Sequence, residues 1–87
     1  MKPKIFKYKL NVTSTQTIQM PLAANIRSIQ PMNGELCLWA EVNPTNPLVD
    51  YVFDIYGTGH EIELYDGRKY HGTVIMGPMV WHIFERI

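Results

Sequence analysis

The sequence predicts an all-β fold: a small antiparallel β-sandwich or a partly open β-barrel of six or seven strands. Three observations point there. Apolar residues recur every second position rather than every 3.6. No segment carries a convincing helical stripe. Turn signals, Asn33-Gly34 and Gly77-Pro78 among them, cut the chain into short runs.

Each element follows from its residues. In KIFKYKLNV, Phe6, Tyr8, Leu10 and Val12 fall on one face and Lys7, Lys9 and Asn11 on the other, the pattern of a half-buried strand. Thr13-Ser14-Thr15 is a polar turn. From Thr17 to Met20 a short strand points Ile18 and Met20 inward, and Pro21 ends it because proline cannot donate to a ladder. Leu22 to Arg27 has room for one turn of helix, too short to stand alone. A weaker strand runs from Asn25 to Gln30. Asn33-Gly34 is a hairpin signal, since both residues tolerate positive φ. The returning strand, Leu36 to Val42, places Leu36, Leu38, Ala40 and Val42 on one face against Cys37, Trp39 and Glu41. Asn43 to Pro47 is a loop by composition. Further strands are expected from Asp50 to Tyr56, Tyr70 to Met76 and Met79 to Glu85, with Gly57 and Gly59 breaking the first of them. The last strand is apolar on both faces, so it is expected to be central or to lie between the core and another chain.

Composition bounds the function. The 87 residues fit one domain, residues 1–87. Folding at this size buries only about 60% of the unfolded surface; a second copy would bury more, and a homo-oligomer is expected. Eight basic residues balance eight acidic ones, which argues against a dedicated binder of duplex nucleic acid. The single cysteine, Cys37, excludes an intramolecular disulfide framework and a Cys-rich zinc site; a reduced, buried thiol is expected. The chain shows no signal-peptide core and no apolar run of roughly 20 residues. A soluble intracellular protein, with no membrane partner, is expected.

Three segments carry candidate chemistry. In Tyr56-Gly57-Thr58-Gly59-His60, two glycines let backbone N–H groups approach an anion, while Thr58 and His60 add polar side chains. The segment lacks the Gly-Lys-Ser/Thr of a P-loop, and the competing reading is a plain glycine turn. In Arg68-Lys69-Tyr70-His71, adjacent cations suit phosphate; pairing of Arg68 with Asp66 in a solvated turn competes with that. In Val80-Trp81-His82-Ile83-Phe84, Trp81 offers a stacking surface and competes with a core role, while Val80, His82 and Phe84, with Trp39, suit an interface. His60, His71 and His82 form no close pair, so no metal and no cofactor are expected. No local signature marks a nucleophile for Cys37, Ser14 or Ser28, and no enzyme is expected.

The motifs I-F-K-Y-x-L, T-x-x-Q-T-I-x-M-P, N-G-x-L-C-L-W-A, I-Y-G-T-G-H-x-I, K-Y-H-G-T-V and V-W-H-I-F-E follow one another from Lys4 to Glu85. In that order and spacing they resemble a family of short, largely uncharacterised bacteriophage and prophage proteins. The resemblance implies an origin and a place in the host cytoplasm, and it transfers no catalytic residue. It also implies, by analogy with oligomeric phage sponges, a protein that sequesters a nucleotide-type immune signal without cleaving it. Phosphate donors would come from Gly57, Thr58, Gly59, Arg68 and Lys69, and rings from Tyr56, Tyr70, Trp39 and Trp81. A protein–protein inhibitor or virion accessory protein, and a small hydrolase of such signals, are the alternatives.

Overall fold

The computed structural model describes residues 2–63 and 67–87. Its strands are β1 (Lys4–Leu10), β2 (Thr15–Pro21), β3 (Asn25–Met32), β4 (Glu35–Val42), β5 (Leu48–Gly57), β6 (Arg68–Met76) and β7 (Met79–Arg86). They form two sheets, β1-β4-β3 and β2-β5-β7-β6, with every pair antiparallel. This is a small β-sandwich with no closed barrel and, among the described residues, no helix.

The period-two pattern determines what lies between the sheets. One layer of the core is Leu10, Leu36, Leu38, Ala40 and Val42; the facing layer is Met20, Phe53, Ile55, Val74 and Ile83. Full burial of each large side chain among these contributes roughly 1.5–3 kcal/mol. Tyr8, Ile18, Ile26, Ile29, Tyr51, Met76 and Trp81 pack around them, partly buried.

Turn chemistry fixes the hairpin registers. Asn33 and Gly34 have φ of 52° and 77°, positive at both central positions as a type I′ turn requires. Gly77, with φ of 59°, precedes Pro78 in the β6–β7 hairpin, the arrangement of a type II′ turn, and Met76 pairs with Met79. Pro21 is tolerated because β2 is an edge strand.

Two local expectations are corrected. β1 ends at Leu10, and Val12 is exposed, because Gln16 turns back to hydrogen-bond both backbone groups of Asn11, closing a bend there. Leu22 to Arg27 forms no helical turn: Ala23 adopts φ of 67°, and β3 begins at Asn25. β7 lies between β5 and β6, the central place its two apolar faces predict.

Candidate functional site

Alternation along β5, β6 and β7 sends every second side chain to the face turned away from the core. Cross-strand register then arranges these side chains in rows. Tyr56, His82 and Thr73 form one row, Asp54, Phe84 and Tyr70 the next, and Val52, Arg86 and Arg68 the third. The chain leaving β5 through Thr58-Gly59 meets the first row where Thr58 bonds His82. Between it and the sheet lies a cavity of about 490 Å³, lined by Tyr56, Gly57, Thr58, Gly59, His60, Ile62, Tyr70, Thr73, His82 and Phe84. That volume falls in the roughly 300–1,000 Å³ range of small-molecule sites. Six of the ten residues predicted to bind a ligand come together here: Tyr56, Gly57, Thr58, Gly59, His60 and Tyr70.

Rings make the apolar part of the wall. Phe84 lies edge-on to Tyr56, with centroids 5.9 Å apart, and tilted against Tyr70 at 5.3 Å. The Arg68 guanidinium stacks on the same Phe84 ring, 5.2 Å from its centroid. Such a contact holds positive charge beside the cavity without lining it.

Hydroxyls and one imidazole make the polar part. His82 Nε2 is 2.8 Å from Thr58 Oγ1, and His82 Nδ1 is 2.9 Å from Thr73 Oγ1. Thr73 Oγ1 is in turn hydrogen-bonded to the Tyr70 hydroxyl. A continuous chain therefore runs Thr58–His82–Thr73–Tyr70. Every oxygen in it can donate or accept.

His60 is held differently. The Gly57 N–H donates to His60 Nδ1 at 3.0 Å, and the His60 N–H donates to the Gly57 carbonyl, also at 3.0 Å. Since a backbone N–H only donates, Nδ1 accepts and the ring proton sits on Nε2. The expected role of Gly57 is thereby corrected. Its N–H already serves His60, and its missing side chain makes room for the imidazole rather than for an anion.

Below the cavity, Asp54 is buried on the same face. Arg86 donates to both its carboxylate oxygens, from Nε at 2.9 Å and Nη2 at 3.0 Å, and Thr15 Oγ1 donates at 2.7 Å. These bonds to Asp54 raise the Arg86 guanidinium above its ordinary, already high pKa. A second recess of about 240 Å³ adjoins the first through Tyr56 and His60 and is lined also by Arg86, Glu61 and Glu63.

Other predicted ligand residues lie elsewhere. Trp81 pairs with Gly57 and Val74 and packs against the core, because alternation places it on the opposite face from His82. Lys69, opposite Glu85 in register, also falls on that inner side at the exposed sheet edge. His71 is the extra residue of a β-bulge between Tyr70 and Gly72; it hydrogen-bonds Glu85 at 2.7 Å and meets the Phe53 ring at 6.2 Å. Arg68 is not among the described lining residues; its guanidinium lies over the ring of Phe84, which is. Asp66, suggested as its partner, lies outside the described residues.

Of the residues assigned to an interface, His82 and Phe84 line the cavity, and Val80 sits opposite Ile75 near the hairpin tip. Trp39 is on the outer face of the other sheet, in a groove of about 420 Å³ with Ser28, Gln30, Pro31 and Met32. Sequence reasoning missed Thr73 and Ile62. For Thr73 a signal existed: counting back from a two-residue Gly77-Pro78 turn places Thr73 opposite His82. No group of three or more metal-ligating side chains occurs among the described residues.

Comparison with known proteins adds a family. A family model described as "Domain of unknown function (DUF7352)" matches residues 1–87. No curated protein matches, and no solved structure matches.

Proposed function

The chain belongs to the family of the domain of unknown function DUF7352; since that membership brings no activity with it, we propose from the cavity that the protein binds a small nucleotide-type ligand and holds it without turnover. The observation that carries this reading is the cavity on the outer face of β5, β6 and β7, where three rings, Tyr56, Tyr70 and Phe84, meet the Thr58–His82–Thr73–Tyr70 hydrogen-bond chain. A planar base stacks on aromatic side chains with about 1–3 kcal/mol per base. Its polar edge and sugar hydroxyls match groups that donate or accept as needed. The Arg68 guanidinium on Phe84 adds positive potential at the rim for phosphate. The resemblance to bacteriophage proteins supplies the source: a nucleotide signal of host immunity, sequestered in the host cytoplasm.

The test is a mass-spectrometric search for small molecules that copurify with the protein, followed by their release on heating. Intact nucleotide in the released fraction supports sequestration. Degraded product points to the hydrolase reading, for which the 2.8 Å contact of the Thr58 hydroxyl with the His82 imidazole is the supporting feature. Tyr70→Ala is expected to weaken binding about tenfold or more through lost stacking, with little change in melting temperature because Tyr70 is exposed. Unchanged affinity would place the ligand elsewhere.

A further inference from the structure

The ten described residues that line the cavity include no carboxylate, no lysine and no arginine. An anionic group that enters therefore meets no fixed countercharge among these described residues. Two lining residues, His60 and His82, can acquire one by taking up a proton.

Hydrogen bonding separates them. His60 Nδ1 accepts from the Gly57 N–H at 3.0 Å, so a second proton on this ring would face a donor and break that bond. Both nitrogens of His82 face hydroxyl oxygens, Thr58 Oγ1 at 2.8 Å and Thr73 Oγ1 at 2.9 Å. A hydroxyl rotates to accept as readily as to donate. Neutral His82 donates to one threonine and accepts from the other. As an imidazolium it donates to both, and each threonine hydroxyl then turns its own hydrogen elsewhere. Thr58 presents that hydrogen to the cavity; Thr73 passes the donor role to Tyr70, whose hydroxyl hydrogen is released in turn. Protonation of His82 thus creates a charge and converts the two ends of the chain to donors together, leaving no buried group unpaired.

Among the described residues, no competing base is in hydrogen-bond contact with this ring. From β5 it faces Tyr56, from β6 Thr73 and beyond it Tyr70, from the covering turn Thr58, His60 and Ile62, and along β7 Phe84, which carries Arg68 on its ring. Of the described carboxylates, Glu61 and Glu63 line the adjoining recess, and Asp54 is clamped by Arg86. The third histidine, His71, is bonded to Glu85 on the other side of the sheet.

We propose that His82 is the conditional cation of this cavity: an anionic ligand binds together with one proton, taken up by His82 and distributed through the Thr58 and Thr73 hydroxyls. The inference rests on the ligand-binding reading above and specifies its charge logic. A phosphate-bearing ligand is held more tightly as pH falls through the histidine range, while the same ligand without phosphate is not.

Cyclic monophosphates of the four common ribonucleosides suit the test, because a phosphodiester keeps one negative charge throughout that range. The parent nucleosides serve as neutral probes. Affinities are measured by calorimetry between about pH 8 and about pH 5.5, and the histidine Cε1–H signals are followed by NMR, assigned with His60→Gln, His71→Gln and His82→Gln. At least one cyclic monophosphate is expected to bind with affinity rising toward about tenfold per pH unit in the upper part of the range. Its nucleoside is expected to bind with no such slope. In the wild-type protein the His82 signal alone moves its titration upward on binding, and His82→Gln retains only weak, pH-independent affinity. Binding without pH dependence, or a shift at His60 in place of His82, overturns the proton coupling and leaves the nucleotide reading intact. No binding of any cyclic monophosphate or nucleoside at any pH overturns that reading, and the coupling with it.

Discussion

At Gly57 a Cβ would lie 2.7 Å from His60 Cε1 and 3.0 Å from its Nδ1, closer than packed atoms tolerate. Two residues on, Gly59 has open space around it but φ of 87°, which L side chains rarely adopt. The two glycines that look alike in sequence thus answer different demands, one of space and one of backbone. Gly57→Ala is expected to push the imidazole away and leave the buried Gly57 N–H without its acceptor, a loss of about 1–3 kcal/mol. Chemical denaturation measures that loss, and the NMR signal of His60 should move with it. Unchanged stability with an undisturbed His60 signal would mean that the ring and the backbone are not coupled as described. The neighbouring Thr58 has its hydroxyl 2.8 Å from His82, so this one turn delivers both a ring and a hydroxyl to the same cavity.

β6 carries its information in an irregularity. The bulge at His71 places two residues against one on β7, so Tyr70 pairs with Phe84 while Gly72 pairs with Ile83. It keeps Tyr70 and Thr73 on the cavity side and turns His71 toward Glu85 and Phe53. Gly72 absorbs the distortion with φ of 142°. Gly72→Ala should therefore cost about 1–3 kcal/mol in denaturation and weaken ligand binding at the same time, because Tyr70 and Thr73 are displaced together. Loss of stability with intact binding would separate the bulge from the cavity. Across the core, β1 makes a different demand. Burial, reinforced by Tyr51, raises the Tyr8 phenol above its usual pKa of 10.0. A phenol whose folded pKa lies above its unfolded value stabilises the fold fully below the unfolded pKa, and that contribution fades as pH rises through the folded one. Stability is accordingly expected to decline above about pH 10, and Tyr8→Phe should flatten the decline in an alkaline denaturation series.

On the scale of the whole molecule, the sandwich buries one side of a four-stranded sheet and leaves the other with a ring-lined cavity. The apolar outer face of β7 is therefore partly occupied by its own chain: Phe84 meets Tyr56 and Tyr70, and His82 meets Thr58 and Thr73. The hairpin tip is less covered, with Ile75 69% and Met79 46% exposed. Together with a small core, that surface is the ground for expecting association of copies. Light scattering at micromolar concentration should give a mass above the 10.1 kDa of one chain; a monomeric mass would leave the tip without that explanation. Strand alternation, the Asn33-Gly34 and Gly77-Pro78 turns and the inward residues of β4 were legible in the amino-acid order, because each depends on neighbours one or two positions apart. So was the opposition of Thr73 and His82 across a two-residue hairpin. The bulge at His71, the choice of β5 as the second neighbour of β7, and the separation of Trp81 from the cavity were not. They depend on which strands pair and on which face of the sheet meets the core, and packing between segments distant in the chain decides both.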